Sequence, residues 1–184
     1  MTLPRIASFS HASGKGYGLV THGGVIDLSP RFPQWPDLSA VVEVGGLERL
    51  AEVGQGAAPD LAHGEFTYGI PLTRPGKIIC VGVNFPDRNE EYKDGQSEPT
   101  KPSLFVRFPS SLTGHDQPLI RPRESEQLDY EGEIAIIIGK PGRRIAQAKA
   151  LDHIAALTLC NEGSIRDWMR HAKFNVTQGK NFDR

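Results

Sequence analysis

The sequence predicts an α+β protein that is mostly β, and two observations lead to this class. The 184 residues include 20 glycines and 14 prolines, so the chain changes direction often. The apolar residues fall in short β-branched runs, and stretches with helical spacing are few. With 38% hydrophobic and 23% charged residues, the composition is that of a globular protein.

The first part of the chain, residues 1–70, predicts a small β-rich domain with two short helices. Three β-like runs alternate with glycine turns and predict strands at residues 5–10, 16–21 and 25–28. Apolar residues at helical spacing predict helices at residues 37–44 and 47–53. A proline-rich segment at residues 71–76 then marks the boundary of a second domain over residues 71–184.

Further apolar runs predict the strands of the second domain. Residues 77–83 and 134–138 are β-branched and uncharged, so both are expected to be buried strands. Residues 102–109, bracketed by prolines, and residues 157–160 predict two shorter strands. Cys80 and Cys160 lie in these apolar runs and are expected to be reduced core residues.

The remaining segments of the second domain are a helix, a lid and a polar tail. Residues 145–155 have apolar side chains at helical spacing and predict a helix. The charged residues 84–95 directly follow a buried strand, which is typical of a surface helix or a mobile lid. Residues 166–184 are rich in hydrogen-bond donors and have no hydrophobic period.

The overall charge argues against several classes of function. The formal net charge is −1 at pH 7, which gives no reason to expect nucleic acid or an anionic membrane as a partner. No apolar stretch is long enough to span a bilayer, and the first residues do not resemble a secretory signal. The sequence therefore predicts a cytoplasmic protein.

Three carboxylates at predicted strand ends form the candidate functional site. Glu131 and Glu133 precede the strand at residues 134–138, and side chains two residues apart in a strand point to the same face. Glu162 follows the strand at residues 157–160. Neighbouring carboxylates repel each other unless a cation lies between them, and Mg²⁺ or Mn²⁺ takes such ligands. The spacing alone equally fits three solvated strand-end residues.

Five ordered segments of the second domain resemble the motifs of the fumarylacetoacetate hydrolase family. They are residues 77–84 (KIICVGVN), 101–105 (KPSLF), 128–133 (LDYEGE), 160–167 (CNEGSIRD) and 179–183 (GKNFD). The resemblance implies a mixed β-sheet roll, preceded by the small N-terminal domain that many members have. It also implies a homodimer. Because family members continue for many more residues, the chain is expected to end within the catalytic domain.

The same resemblance implies roles for individual residues. Glu131 and Glu133 match the two metal-ligand glutamates of the family, and Glu162 stands where most members have an aspartate as the third ligand. Lys180 matches the lysine that stabilises a developing enolate or carboxylate charge, although a plain surface lysine is the alternative. The implied cofactor is Mg²⁺ or Mn²⁺. The implied partner is a small 2-oxo or 2-hydroxy-diene (di)carboxylic acid.

The lid departs from the pattern of the family. Members that hydrolyse carbon–carbon bonds usually have a histidine and a glutamate there to activate water, whereas this chain has Glu91 but Arg88 instead of the histidine. A guanidinium stays protonated at neutral pH and cannot act as a general base, but it can bind a carboxylate. Lys180, Glu91 and Arg88 are therefore the predicted catalytic residues. Arg88, Arg166 and Lys180 are predicted to bind the substrate, an arginine holding its distal carboxylate.

Taken with the family resemblance, the exchange of histidine for Arg88 favours an isomerase, decarboxylase or hydratase that acts through a metal-bound enolate. The resemblance also implies a role in the catabolism of aromatic or related compounds. Two alternatives stay open: a C–C bond hydrolase of the acylpyruvate or fumarylacetoacetate type, and a non-catalytic family member that binds metal. The histidines do not decide between them. His115 is expected in a turn and His153 on a helix surface, while His171 lies in the polar tail with Lys180 and is a further candidate base.

Overall fold

A computed structural model of the protein describes residues 3–82, 101–171 and 176–183. The chain separates into two units. The first comprises Met1–Pro75, Thr113–Leu119 and Glu131–Glu162, and the second comprises Gly76–Leu112, Ile120–Tyr130 and Gly163–Arg184. The domain assignment of residues 1–70 and 71–184 stays a prediction.

Short strands dominate the described residues, as the composition predicts. In chain order they are β1 (Ile6–His11), β2 (Gly14–Val20), β3 (Gly24–Asp27), β4 (Leu61–Ala62), β5 (Phe66–Tyr68), β6 (Ile79–Val81), β7 (Leu104–Val106), β8 (Leu128–Asp129), β9 (Gly132–Ile138), β10 (Ile154–Asn161) and β11 (Ser164–Ile165). The α-helices are α1 (Leu38–Glu43), α2 (Leu47–Gly54), α3 (Arg166–Arg170) and α4 (Val176–Gly179). Among the described residues, no helix has the length and apolar character that a membrane crossing requires.

The N-terminal part of the first unit is a five-stranded antiparallel sheet in the order β4-β3-β2-β1-β5. The predicted strands at residues 5–10, 16–21 and 25–28 are confirmed as β1, β2 and β3. Gly24 has φ +145°, and a Cβ at this position would lie 1.9 Å from the carbonyl oxygen of Leu61. The close pairing of β3 with β4 therefore requires glycine here.

The two helices pack against this sheet and bury its core. Both predicted helices are confirmed, with Asp37 as the N-cap of α1 rather than its first residue. The Asp37 carboxylate accepts a hydrogen bond of 2.9 Å from the backbone N–H of Ala40. The apolar core consists of Tyr17, Leu19, Ile26, Leu28, Phe32, Leu38, Val41 and Leu50.

The first unit also contains an antiparallel ladder of β9 and β10, which confirms the strands predicted at residues 134–138 and 157–160. The prediction that residues 134–138 are buried is wrong. Ile134 is 67% exposed, Ile136 is 55% exposed, and their cross-strand partners Leu159 and Leu157 are exposed as well. A β-branched run specifies a strand locally, but burial needs a second layer, and none of the described residues covers this face of the ladder.

The first strand of the second unit requires the same correction. β6 pairs with β7 in a two-stranded sheet, but Ile79 and Val81 are both exposed, so it is not a buried strand. Cys80 and Cys160 are both free cysteines, and their reduced state stays a prediction. The expectation that they are core residues is wrong, because Cys80 is only half-buried and Cys160 is exposed.

Two further segments differ from the prediction in their helical structure. Instead of an α-helix over residues 145–155, a 3₁₀ helix covers Gln147–His153 and β10 follows directly at Ile154. No residue of this 3₁₀ helix is buried, so its apolar period has no layer to pack against. The polar tail forms α3 and α4, each shorter than the repeat that a hydrophobic period needs.

Candidate metal centre

Glu131, Glu133 and Glu162 lie together at one end of the β9–β10 ladder. One carboxylate oxygen of each residue lies within 4.8 Å of those of the other two. Because the strands are antiparallel, the start of β9 lies opposite the end of β10, and both ends carry these residues. The predicted proximity of the three carboxylates is observed, while their role as metal ligands stays a prediction.

Backbone hydrogen bonds hold the two ends of the ladder in register. The backbone N–H of Glu162 donates to the carbonyl oxygen of Glu131 over 2.7 Å. The backbone N–H of Glu131 donates over 3.0 Å to the side-chain oxygen of Asn161. Asn161 is also the ladder partner of Gly132. The chain before Glu133 is therefore attached to β10 by both main-chain and side-chain bonds.

The pleat of the ladder places Glu133 on the face opposite the exposed isoleucines. Glu133 alternates with Ile134 and lies across the ladder from Cys160. It is half-buried, whereas Ile134 is largely exposed. The uncovered apolar face and the carboxylate cluster are therefore two separate surfaces of the same ladder.

The cluster has the donor set that a hard divalent cation requires. Glu162 is only 8% exposed, and Glu131 and Glu133 are half-buried, so water screens their mutual repulsion incompletely. Oxygen ligands around Mg²⁺ lie up to about 4.2 Å apart, since the metal–oxygen distance is about 2.1 Å. Small side-chain rotations would therefore suffice to bring the three oxygens around one ion.

Lys180 follows α4 in the second unit and is 3% exposed, so it is not a surface lysine. Its Nζ lies 5.2 Å from the centroid of the Phe105 ring, within the range of a cation–π interaction. A buried ammonium is costly unless it is stabilised, and such groups are concentrated at functional positions. The predicted catalytic role of Lys180 stays a prediction.

Arg166, the predicted alternative to Arg88 for binding the substrate, already binds a carboxylate of the protein. Its Nε and Nη2 lie 2.9 Å and 2.8 Å from Oδ2 of Asp129. Because this ion pair satisfies part of its hydrogen-bonding capacity, a substrate carboxylate would have to compete with Asp129. Arg88 and Glu91 lie outside the described residues.

The histidines considered above each contact a neighbouring acceptor group. His115 is exposed and lies 3.3 Å from the Asp116 carboxylate. His153 ends the 3₁₀ helix, in which no residue is buried, and its Nδ1 lies 2.8 Å from the Lys140 carbonyl oxygen. His171 follows α3, and its Nδ1 lies 2.8 Å from the carbonyl oxygen of Trp168.

Sequence reasoning missed several residues that form hydrogen bonds with the predicted site residues within each unit. No role is predicted for Asn161, which directly precedes Glu162, or for Asp129, which lies two residues before Glu131 and pairs with Arg166. In the second unit, Arg107 donates to the carbonyl oxygen of Lys180. Asn181, the residue after Lys180, bonds to the backbone of Phe108 and Val106. One signal pointed to Arg107: it is the only charged residue in the apolar, proline-bracketed run 102–109.

The β-rich fold and the cluster of three carboxylates define a class of protein whose donor set suits a hard divalent metal ion. The chain belongs to the fumarylacetoacetate hydrolase family. The family described as Fumarylacetoacetate (FAA) hydrolase C-terminal matches residues 77–184, which is more than half of the chain. The resemblance carried by the five motifs is thereby confirmed.

Curated relatives include mitochondrial oxaloacetate tautomerases. FAHD2A of Bos taurus is 36% identical over 180 residues, and this alignment covers 94% of the present chain and 56% of the bovine protein. FAHD2A of Homo sapiens is 35% identical over 179 residues with the same coverage. The chain therefore spans 56% of the length of these relatives. Its cytoplasmic location stays a prediction, since both relatives are named as mitochondrial.

Solved structures confirm the fold of the family. A fumarylacetoacetate hydrolase from the psychrophile Exiguobacterium antarcticum has a TM-score of 0.79 at 28% identity, covering 98% of this chain and 63% of that one. A probable 2-hydroxyhepta-2,4-diene-1,7-dioate isomerase from Mycobacterium abscessus has a TM-score of 0.72 at 26% identity, covering 97% and 59%. Relatives of the same fold thus bear the names of both hydrolases and isomerases.

Proposed function

We propose that this chain is part of a divalent-metal-dependent enzyme, and that the enzyme isomerises a small 2-oxo dicarboxylic acid through an enolate. The observation that carries this proposal is the cluster of Glu131, Glu133 and Glu162, whose oxygens lie within 4.8 Å of one another. Among the predicted isomerase, decarboxylase and hydratase reactions, the names of the relatives favour isomerisation. Keto–enol interconversion of oxaloacetate is the simplest reaction of this class.

The chain's own residues suit the charge changes of such a reaction. Glu131, Glu133 and Glu162 would hold Mg²⁺ or Mn²⁺, which acts as a Lewis acid toward an oxo group when bound. Lys180 would place an ammonium against the oxygen on which negative charge develops. Because Lys180 is buried, its charge would act with little dielectric screening, which strengthens this stabilisation.

Arg88, Glu91 and Arg166 would have different roles in this proposal. Arg88 would bind the distal carboxylate of the substrate, because a guanidinium forms two parallel hydrogen bonds to such a group. Glu91 would take the proton from the carbon next to the oxo group. Arg88 stays charged and therefore supplies binding rather than proton transfer. Arg166 is the alternative anchor, in competition with Asp129.

The test is an assay of enol–keto conversion of oxaloacetate, followed by the ultraviolet absorbance of the enol, with and without Mg²⁺ or Mn²⁺. Chelation should abolish the enzymatic rate, and adding back the metal should restore it. Glu131→Gln should abolish both metal binding and turnover. Glu52→Gln, which alters a glutamate in a surface ion pair with Arg49, is the matched control and should change neither. Full activity in chelator would refute the proposal.

A C–C bond hydrolase is the second candidate, and the solved hydrolase from Exiguobacterium antarcticum favours it. The same assay extended to acylpyruvates separates the two, because hydrolysis releases a second carboxylic acid and isomerisation does not. A non-catalytic, metal-binding member would bind Mn²⁺ yet turn over none of these compounds.

Aromatic catabolism would be supported if 2-hydroxyhepta-2,4-diene-1,7-dioate were the preferred substrate. A homodimer is proposed from the family resemblance, and light scattering tests it.

A further inference from the structure

Strand β7 and the residues just beyond it hold the segment that carries Lys180. The side-chain oxygen of Asn181 accepts a hydrogen bond of 2.6 Å from the backbone N–H of Phe108. The amide nitrogen of Asn181 donates to the carbonyl oxygens of Val106, over 2.9 Å, and Thr177, over 2.7 Å. One side chain thus replaces the main-chain partner that β7 would have in a wider sheet.

The residue before Lys180 has no room to move toward α3. A Cβ on Gly179 would lie 2.3 Å from Cγ of Met169 and 2.9 Å from the carbonyl oxygen of Ile165. Backbone and side chain of the second unit therefore pack directly against the Gly179 backbone. The chain is confined on both sides of Lys180, by packing at Gly179 and by hydrogen bonds at Asn181.

Arg107 holds the backbone of Lys180 itself. Its guanidinium donates through Nη1 to the carbonyl oxygen of Lys180 and through Nη2, over 2.6 Å, to the carbonyl oxygen of Gly163. Gly163 is the residue that follows Glu162 in the chain. Arg107 is anchored in turn, because its backbone N–H donates to the carbonyl oxygen of Ile78 over 3.2 Å.

We propose that Arg107 is a positioning residue for Lys180: its guanidinium ties the Lys180 backbone to the loop before β11 and so fixes where the ammonium lies. This inference rests on the proposed function, in which the ammonium meets a developing negative charge. Such stabilisation depends on groups that are already in place, since reorientation during the reaction would cost part of the gain. A rigid, planar donor pair suits this task better than a flexible ammonium would.

The first experiment measures the position of Lys180 without any turnover. Limited acylation of amines with acetic anhydride, quantified by peptide mass spectrometry, compares Lys180 with Lys149, whose side chain is 72% exposed. In Arg107→Ala the labelling of Lys180 relative to Lys149 should rise roughly tenfold or more, because loss of the charge-assisted bonds lets the segment open. An unchanged ratio in a folded variant would overturn the proposal.

Two further variants keep this test decisive. Arg107→Lys retains the charge but not the paired donors, so its labelling ratio should lie between those of the wild type and Arg107→Ala. It decides the question in the same way if Arg107→Ala fails to fold. Arg31→Ala is the matched control, because Arg31 also donates to a carbonyl oxygen, that of Val53, but in the first unit. It should leave the labelling of Lys180 unchanged.

The second experiment distinguishes positioning from a purely structural role. In the oxaloacetate assay, Arg107→Ala should lower kcat roughly tenfold or more with KM changed by less than about threefold. Added guanidinium ion at millimolar concentration should restore part of kcat to Arg107→Ala and none to Lys180→Met. If Arg107→Ala keeps the wild-type kcat, or if guanidinium restores nothing, the positioning role is refuted. Absence of turnover in the wild type would sink the proposed function and leave the labelling result valid.

Discussion

Glu162 donates its backbone N–H to the carbonyl oxygen of Glu131 over 2.7 Å, so two of the proposed metal ligands are joined through their main chains. The bond does not involve either carboxylate. Substitution of a carboxylate should therefore alter metal affinity while leaving the strand register intact. Each proposed ligand can therefore be substituted and tested separately.

Glu162→Gln should weaken Mn²⁺ binding roughly 100-fold or more, because it replaces an anionic ligand by a neutral amide in the most buried position of the cluster. Glu162→Asp restores the residue type that most family members have here, and its affinity should stay within about tenfold of the wild type. Isothermal titration calorimetry measures both. Equal affinity of Glu162→Gln and the wild type would exclude Glu162 as a ligand.

Asn161→Ala should weaken metal binding by roughly tenfold, because the backbone N–H of Glu131 loses its side-chain acceptor and the Glu131 carboxylate loses its orientation. Asn161→Asp keeps an acceptor oxygen at the same place and is the matched control. Titration with Mn²⁺ measures both affinities. If the two variants bind equally well, the hydrogen bond does not orient Glu131.

The N-terminal sheet should lose stability in acid through Asp37. Arg74 forms a bidentate ion pair with Asp37, with Nε and Nη2 at 2.9 Å and 3.0 Å. Hydrogen bonds from Arg74 are the largest cause that lowers the pKa of Asp37 to about 2, and those from Ala40 and Thr73 add to the effect against the opposing burial. The folded pKa lies below the unfolded value of 3.8, so the stabilisation is present above pH 4 and is lost between about pH 4 and pH 2.

The measurement is urea unfolding of the wild type and Asp37→Asn between pH 6 and pH 2. Asparagine also caps helices, so this substitution removes the charge and keeps the N-cap. The wild type should be more stable by about 1 kcal/mol at pH 6, a value reduced for the solvent screening of Arg74. The difference should vanish near pH 2. A difference that is independent of pH would show that the ion pair is not its source.

Local signals in the sequence predict where strands and helices form more reliably than they predict which residues are buried. The turns at Gly14 and Gly24 and the helical spacing after Asp37 depend on neighbouring residues, and the corresponding elements form as expected. Whether Ile134 is buried depends instead on whether another layer covers β9, and no residue within that strand encodes this. Exposure therefore could not be inferred from the isoleucine run.

The same distinction applies to the candidate site: local sequence signals predict some of its features, and others depend on distant contacts. The cluster of Glu131, Glu133 and Glu162 was foreseeable, because acidic residues at the ends of two neighbouring strands suffice to place it. The role of Arg107 was not, because it depends on contacts with residues 56 and 73 positions later in the chain. Sequence separation of this size leaves no local trace beyond one charge in an apolar run.

The three carboxylates have a consequence for how the ladder folds. A pair of strands with one uncovered face is only marginally stable, and here both strands carry ligands at the same end. A cation held by Glu131, Glu133 and Glu162 would fasten β9 to β10, so the free energy of binding would also close the ladder. Hydrogen exchange of the β9 and β10 amides should therefore slow when Mg²⁺ is added, and this slowing should be lost in Glu162→Gln. Metal affinity and amide protection in β9 and β10 would then both measure the same coupled equilibrium, in which metal binding and strand pairing occur together.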